Sequence, residues 1–316
     1  MYCPACAHVV NAAFDPAVRT TEGLFGNSML GSATYRAHVT GVADRILGKG
    51  APVRTLELGC GEGELLRLLP GRRTGWGRVP TPVESSELSL HAGSWSPHGE
   101  EGYDLIVARH VLEHVPDPLK LLRQLRSVCV GRGYFEVPDA GYDLGVAGWD
   151  VMYSHASYFH AGSLALMCEK AGFAVTDIGL TFHDQYLYVE VDVRAQKSRG
   201  VDSRRHHCVV RSFGERFANL VGHWRRIVES RERPALWGAG TRGVTFLSAV
   251  DPGRKLSLVD VNAGKHGRYL PTGHRVDAPE RLPMDTDAVI ITNPAYRDEV
   301  EKSLAELGIA APVLIA

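Results

Sequence analysis

Residues Thr55 to Glu64 read TLELGCGEGE, an apolar run that ends in an acid and continues into three glycines. The apolar residues predict a buried strand, and Gly59, Gly61 and Gly63 predict a tight turn at its carboxyl end. A Cβ atom would block this turn and keep the backbone away from a ligand, whereas Glu57 at the strand end can accept hydrogen bonds from one. The stretch therefore predicts a nucleotide-binding turn in an α/β domain. Its spacing, E-x-G-x-G-x-G, differs from the G-x-G-x-x-G of dinucleotide turns.

The composition is that of a globular enzyme with almost balanced charge. The chain has 316 residues, of which 44% are hydrophobic, which is enough for two domains with separate cores. Its 35 basic and 36 acidic residues leave a formal charge of −1, so no global positive field attracts nucleic acid or anionic membrane. We therefore expect a small-molecule substrate, with neither nucleic acid nor membrane as partner. No apolar run has membrane-spanning length and the first ten residues lack a signal-peptide pattern, so we expect a cytoplasmic protein.

Strand and helix candidates alternate along residues 51–195. The strand candidates are Val53 to Leu58, Asp104 to Ala108, Tyr134 to Val137, Ala174 to Leu180 and Tyr186 to Val191. The helix candidates are Glu62 to Leu69, Pro118 to Val128 and Ser163 to Ala171, and a further helix over Ser32 to Gly48 precedes them in residues 1–50. This alternation predicts a mostly parallel sheet with helices on both faces, ending in an antiparallel edge pair.

A second alternation predicts a smaller α/β domain over residues 233–316. A polar and basic connection, Gln196 to His207, and an amphipathic helix, Ser212 to Ser230, occupy residues 196–232 before it. The domain opens with its own glycine turn, WGAGTRG, which contains Gly238, Gly240 and Gly243. Its strand candidates are Ala235 to Gly238, Leu256 to Val261, Ala288 to Thr292 and Pro312 to Ile315, with helices over Arg242 to Val250 and Tyr296 to Leu307.

The stretch Tyr103 to Pro118, YDLIVARHVLEHVPDP, is a strand followed by a loop rich in histidine and acid. Together with ELGCGEG and YFEVPDAG, it resembles the conserved motifs of class I S-adenosylmethionine (SAM) dependent methyltransferases. The resemblance implies a Rossmann-like domain in which SAM is held by Glu57, Gly59, Gly61, Gly63 and His110. In this family an acid after strand two binds the ribose, and Glu84, 21 residues beyond Gly63, fits that place. An alternative interpretation is that His110 and His114 only cap the helix that begins at Pro118.

A narrower resemblance extends from about residue 30 to the end. The runs GWDVMYSHASYFHAGSLALMCEKAGF, WGAGTRGVTFL, LVDVNAGKHGRYLPTGHRV and NPAYRDEV resemble the sugar C-methyltransferases of antibiotic biosynthesis. Those enzymes have a zinc-binding N-terminal region, a SAM domain and a C-terminal Rossmann-like domain, and they methylate a carbon next to the keto group of a nucleotide-linked deoxysugar. The resemblance implies His155 as the base, assisted by His114. It also implies hydroxyl donors among Tyr153, Tyr158 and Tyr35.

The chemistry of such a reaction explains these residue types. A carbon beside a ketone becomes nucleophilic only as an enolate, so a base must remove its proton and a donor must stabilise the oxyanion. Histidine suits the base because its pKa lies near working pH. In the C-terminal domain we expect Gly238, Gly240 and Lys265 to contact the substrate, with Asp260 as a ribose-type acceptor. The alternative is a glycine turn retained for packing alone.

Three features depart from the family pattern. The N-terminal CPAC pair has no second cysteine pair nearby, so we expect the remnant of a zinc knuckle and no metal, although His8 and Cys208 could be added as ligands. Ser85 to Trp95 is too short for both a crossover helix and another strand, which leaves the adenosine wall incomplete. Ser154 stands before His155 where the family has glutamate, and a hydroxyl orients an imidazole less strongly than a carboxylate does.

Three hypotheses follow from these observations. The first is a SAM-dependent methyltransferase of secondary metabolism that acts on a nucleotide-linked sugar or a similar small molecule. The second is a SAM-independent isomerase, epimerase or cyclase that uses the same histidine base. The third is a catalytically silent binding protein, which would keep its cellular role after substitution of His155 by alanine.

Overall fold

The computed structural model describes residues 1–17, 31–97, 102–141, 148–195 and 212–316. Predictions for residues 196–211, which include the basic connection and Cys208, lie outside these ranges. Contacts within the chain divide it into two compact units. Of the described residues, the first unit holds 1–17, 37–97, 102–141 and 153–195, and the second holds 31–36, 148–152 and 212–316. Each unit is thus assembled from separate stretches of sequence, whereas the prediction divided the chain into four consecutive segments.

A mixed sheet of eight strands forms the centre of the first unit. In chain order the strands of this unit are β1 (Val9–Val10), β2 (Arg54–Leu58), β3 (Arg72–Gly77), β4 (Val83–Glu84), β5 (Leu88–Ala92), β6 (Tyr103–Arg109), β7 (Cys129–Pro138), β8 (Ser157–Tyr158), β9 (Ala174–Thr181) and β10 (Tyr186–Asp192). The sheet has the spatial order β4-β5-β3-β2-β6-β7-β10-β9, and β1 pairs with β8 separately. The five strands from β5 to β7 run parallel, while β4, β10 and β9 add antiparallel pairs at the two edges. The predicted α/β sheet and its antiparallel edge pair are confirmed.

Three helices lie at predicted positions: α1 (Ala33–Leu47), α2 (Pro118–Val128) and α3 (Ala161–Lys170). Helix α2 begins where predicted because Asp117 accepts a hydrogen bond from the Lys120 N–H at 2.9 Å, and Pro118 occupies the first turn, where no N–H partner is required. Its Leu122 and Leu125 are fully buried against the sheet core. Burial of each such leucine contributes about 1.5–3 kcal/mol, so this apolar face fixes α2 on the sheet.

The helix predicted over Glu62 to Leu69 is wrong. These residues form turns and one short 3₁₀ segment, Leu66–Leu68. Gly63 has a φ of 80°, which no right-handed helix contains, and Pro70 disfavours a helical conformation at Leu69. Six residues remain between these two limits, too few for a stable helix.

The prediction that strand two ends near Glu84 is also wrong. The strand that neighbours β2 is β3, Arg72–Gly77, whose polar sequence RRTGWG hides it from a search for apolar runs. The short β4 occupies the stretch between β3 and β5 where a crossover helix would stand. The predicted lack of room for that helix is therefore confirmed, and β5 still pairs parallel with β3.

The second unit contains a parallel five-stranded sheet. Its strands are β11 (Pro234–Trp237), β12 (Ser257–Val259), β13 (Val276–Asp277), β14 (Ala288–Ile291) and β15 (Val313–Ile315), in the order β13-β12-β11-β14-β15. Its helices are α4 (Phe213–Ser230), α5 (Thr241–Val250) and α6 (Arg297–Glu306). Every described pair of neighbouring strands is parallel, as the alternation of strands and helices predicts. Across the described chain, no helix combines the length and the hydropathy needed to span a membrane.

An aromatic cluster fills one core of the second unit. Trp149, 1% exposed, packs edge-on against Phe246 with ring centroids 4.8 Å apart, and Trp224 packs against the same Phe246 at 5.7 Å. Such pairs contribute about 0.5–1.5 kcal/mol beyond the buried area. Residues 148–152 therefore belong to this core although the first unit surrounds them in sequence.

Candidate active site

The glycine turn after β2 requires glycine. Gly59, Gly61 and Gly63 have φ angles of 73°, 56° and 80°, in the left-handed region that other residues rarely adopt. A Cβ atom on Gly59 would lie 2.5 Å from Val111 Cγ2. The Gly59 N–H donates to the Trp76 carbonyl oxygen at 2.7 Å, which fastens the turn to β3. The turn is therefore as tight as the sequence predicts.

Glu57 is a buried carboxylate at the end of β2. It is 1% exposed, and its Oε1 lies 3.7 Å from Arg109 Nε at the end of β6. Burial raises the pKa of Glu57 to about 7, against the lowering effect of the Arg109 guanidinium. Its Oε2 has no hydrogen-bond partner in the described part of the chain. A buried oxygen of this kind is a candidate acceptor for a donor group on a ligand.

Aromatic rings, not an acid, stand at the carboxyl ends of β3 and β5. Glu84 lies on the edge strand β4, exposed, where it accepts a hydrogen bond from Ser89 Oγ at 2.8 Å, contrary to its prediction at the end of strand two. Strand β3 ends at Gly77. The rings of Trp76 and His91 stack with centroids 4.5 Å apart and an interplanar angle of 27°. No sequence pattern indicated this pair, because Trp76 lies in the strand that the search for apolar runs missed.

A second buried carboxylate, Glu136 in β7, is surrounded by donors. It is 0% exposed, and its Oε1 lies 3.1 Å from His38 Nε2 and 3.3 Å from His110 Nε2. Tyr134 donates its hydroxyl to Oε2 at 2.9 Å. Burial disfavours the charge, but the contacts with His110 and His38 outweigh it and hold the pKa of Glu136 below its usual range. Glu136 is therefore ionised inside the fold.

His110 lies between two carboxylates. Its Nδ1 is 3.4 Å from Glu113 Oε1, and its Nε2 faces Glu136. Burial alone lowers the pKa of His110, but the contacts with Glu113 and Glu136 raise it to about 9. Its φ of 52° and the hydrogen bond from its N–H to the Glu136 carbonyl oxygen at 2.8 Å fix the backbone here. At neutral pH this side chain is a fixed positive charge and not a base.

The structure brings His155 and His114 together. Their ring centroids are 4.9 Å apart, and His155 is 4% exposed. The Ala156 N–H donates to the Glu113 carbonyl oxygen at 2.7 Å, which joins the two segments. His114 Nδ1 lies 3.0 Å from the Ser154 carbonyl oxygen, and since a carbonyl only accepts, Nδ1 carries the proton of the neutral ring. Nε2 of His114 therefore has the lone pair.

Glu113 is the carboxylate closest to these histidines. Its side chain is 2% exposed, and its Oε1 lies 3.9 Å from His114 Nε2. Burial raises the pKa of Glu113, but the contact with His110 and the electrostatic attraction of His114 and His155 in their protonated forms lower it further than burial raises it. Neither of its oxygens has a hydrogen-bond partner among the residues that the structure describes.

The three predicted hydroxyl donors have different positions. The ring of Tyr158 contacts that of His155 with centroids 5.8 Å apart. Tyr153 is 42% exposed, and its hydroxyl accepts a hydrogen bond from the Asp15 N–H at 3.3 Å. Tyr35 is buried and belongs to the second unit. Tyr158 is thus the predicted donor for which the described residues give a contact with His155.

The sequence missed three members of this cluster: His38, Glu113 and Glu136. Glu136 had a usable signal, because an acid inside the apolar strand YFEVP is rare unless it is paired. His38 and Glu136 are 98 positions apart in sequence, so their contact has no local signature.

In the second unit, the glycine turn is held by the chain itself. Gly238 has a φ of 115°, and a Cβ atom on Gly243 would collide with the Gly238 carbonyl oxygen. Asp260 accepts hydrogen bonds from the Ala239 N–H at 2.7 Å and from Lys265 Nζ at 3.0 Å. Lys265 and Asp260 are therefore paired with each other. Substrate binding by Gly238, Gly240 and Lys265 stays a prediction.

The N-terminal cysteines lie near the start of β1. The Cys6 carbonyl oxygen is 3.2 Å from His160 Nε2, and His8 Nε2 is 3.3 Å from Ser157 Oγ. Burial, aided by His160, lowers the pKa of His8 to about 4. The imidazole of His8, one of the two added ligands considered, is therefore neutral and bound to Ser157. The expectation that Cys3 and Cys6 are a knuckle remnant without zinc stays a prediction.

One family model matches part of the chain. Residues 33–178 match the family model of a methyltransferase domain. No curated protein matches the sequence. Among solved structures, the magnesium protoporphyrin IX methyltransferase of Synechocystis PCC 6803 is similar at 14% identity and a TM-score of 0.41, over 51% of this chain and 84% of that one. The N-methyltransferase NodS of Bradyrhizobium japonicum is similar at 18% identity and a TM-score of 0.40, over 52% of this chain and 89% of that one.

Proposed function

Because residues 33–178 match the model of a methyltransferase domain, we propose that the protein is a class I SAM-dependent methyltransferase that methylates a carbon next to the keto group of a nucleotide-linked sugar or a related small molecule. The observation that carries the proposal is the buried His155, whose ring contacts His114 and Tyr158. Burial keeps water from the imidazole, and the carbonyl of Ser154 fixes the ring of its neighbour His114. In this proposal His155 removes the proton and Tyr158 donates to the oxyanion.

Glu113 can replace the glutamate that the family has where this chain has Ser154. The carboxylate that the family has immediately before the base is absent from position 154, but Glu113 supplies one from the loop after β6. One side-chain atom each from Glu113, His114 and His155 lie within 4.8 Å of one another. An ionised carboxylate at this distance stabilises the imidazolium that forms when His155 takes a proton.

The residues fit SAM at one end better than at the other. The Gly59 to Gly63 turn and the unsatisfied Oε2 of Glu57 suit the methionine end, where backbone N–H groups and a carboxylate would hold the amino-acid moiety. The stacked rings of Trp76 and His91 offer an apolar face for adenine. No acid ends β3 to bind the ribose. SAM, when bound, supplies an electrophilic methyl group.

Calorimetry with SAM and S-adenosylhomocysteine tests this proposal, followed by mass spectrometry of candidate keto sugars after incubation with SAM. We expect wild type to bind SAM and to add one methyl group. His155→Ala should keep SAM binding and lose methyl transfer. Absence of binding by both compounds would refute the proposal, and so would methyl transfer by His155→Ala at the wild-type rate.

The second candidate is a SAM-independent isomerase or epimerase, and the end of β3 favours it. Strand β3 ends at Gly77 without a carboxylate, which weakens the binding of a ribose. The cluster of Glu113, His114 and His155 is complete. Exchange of deuterium from solvent into a keto substrate without SAM would support this candidate. Exchange that depends strictly on SAM would exclude it.

A further inference from the structure

Glu113, His114 and His155 have the geometry of three metal ligands. Each offers one ligand atom, and these atoms lie within 4.8 Å of one another. Around a tetrahedral ion with bonds of about 2.1 Å, ligand atoms are about 3.4 Å apart. Glu113 Oε1 and His114 Nε2 are already within 3.9 Å. Small side-chain rotations therefore suffice to place all three ligand atoms on one ion.

The hydrogen bonds of His114 prepare it for this role. Its Nδ1 donates to the carbonyl oxygen of Ser154 at 3.0 Å, so that the lone pair is on Nε2, on the side of Glu113. A backbone carbonyl that accepts from the second ring nitrogen is the usual partner of a metal-bound histidine, because it fixes the tautomer and the ring plane.

Glu113 provides an independent observation. Its side chain is 2% exposed, and both carboxylate oxygens lack a hydrogen-bond partner within the described residues. The charged His110 lies 3.4 Å from Oε1 and compensates part of the negative charge, whereas Oε2 has no such partner among the described residues. A cation between Glu113 and the two histidines would satisfy it.

We infer that Glu113, His114 and His155 bind one divalent transition-metal ion. Two imidazoles and one carboxylate select zinc, cobalt or ferrous iron over magnesium and calcium, which prefer oxygen ligands alone. The side chain of His114 is 35% exposed, which leaves an open side for entry of the ion and for a water ligand.

The inference does not depend on the proposed function, but it has a consequence for it. A histidine nitrogen that binds an ion cannot accept a proton at the same time. An ion at this site therefore blocks the base His155, and the metal-bound and proton-accepting states exclude each other.

The test uses the full chain, stripped with EDTA and dialysed. Zn²⁺ is titrated by calorimetry, and Co²⁺ is followed by its visible absorption bands. We expect one equivalent to bind wild type, and Glu113→Gln, His114→Ala and His155→Ala each to weaken the affinity by more than about 100-fold. His223→Ala, which removes an exposed histidine of α4, is the matched control and should bind like wild type.

Three results would overturn the inference: no binding of either ion by wild type, equal affinity in the variants, or near-ultraviolet thiolate bands that assign the ion to cysteine. Glu113→Gln is nearly isosteric, so circular dichroism can establish that it folds even if a histidine variant does not. Metal binding is measured without turnover. Absence of methyl transfer by the metal-free enzyme, together with intact metal binding, therefore refutes only the proposed function.

Discussion

Alanine at Gly59 is predicted to destabilise the first unit through two separable effects. The φ of 73° costs a residue with a Cβ atom about 1–2 kcal/mol. The new Cβ would lie 2.5 Å from Val111 Cγ2 and 3.3 Å from the Arg109 carbonyl oxygen, and overpacking of this kind costs about 1–3 kcal/mol. We therefore expect Gly59→Ala to lower the free energy of unfolding by about 2–5 kcal/mol.

Urea unfolding followed by circular dichroism measures this change, with Gly41→Ala as the matched control. Gly41 lies inside α1, and a Cβ atom on it would meet nothing within 4 Å. Alanine is the better helix former, so the control should gain about 0.5–1 kcal/mol. The same substitution thus has opposite signs at the two glycines.

Adding Val111→Ala distinguishes the backbone strain at position 59 from the steric overlap between its new Cβ atom and Val111. In the double variant Gly59→Ala/Val111→Ala, the steric cost should fall by about 1–3 kcal/mol while the backbone strain remains. The reasoning is refuted if Gly59→Ala stays within about 0.5 kcal/mol of wild type, or if the two substitutions are simply additive.

Three further predictions concern other buried groups. Burial raises the pKa of Glu57 from 4.5 to about 7. The contribution of Glu57 to stability is therefore complete below about pH 4.5 and is lost as the pH rises through 7. Between about pH 5 and 8, wild type should lose up to about 3 kcal/mol more stability than Glu57→Gln, as measured by urea titration at each pH. Asp251→Ala leaves His274 and two backbone N–H donors without their acceptor, and we expect a loss of about 3 kcal/mol in chemical denaturation. Phe246→Ala should destabilise the second unit by about 3–5 kcal/mol and lower its melting temperature, whereas Tyr269→Ala, at an exposed site, should change the free energy of unfolding by less than about 0.5 kcal/mol.

Local rules predicted the elements whose ends are set by local chemistry. Helix α2 was predicted to the residue because Asp117 and Pro118 define its start. Strand β3 was missed because Arg72, Arg73 and two glycines conceal it, and its place in the sheet depends on pairing with β2 and β5. Pairing between distant strands is a tertiary effect that a propensity for single residues does not contain.

The candidate site also combines residues that local sequence indicates with residues that only the tertiary fold brings together. Glu57 and the glycines could be located from one motif, and family resemblance indicated His155 and His114. The environment of Glu136 could not be predicted, because its donors come from α1, from β7 itself and from the loop after β6. The charge states of these groups also depend on the distances between them, which the sequence alone does not specify.

The placement of Trp149 has a consequence for protein synthesis. This ring is made before residue 212, whereas its partners Trp224 and Phe246 are made later. The growing chain must therefore carry a large apolar side chain without its partners until α4 and α5 have left the ribosome. Translation that stops near residue 200 would leave the ring unpaired in every copy. A gene fusion that transfers only residues 212–316 would move the sheet of the second unit without one of its core tryptophans.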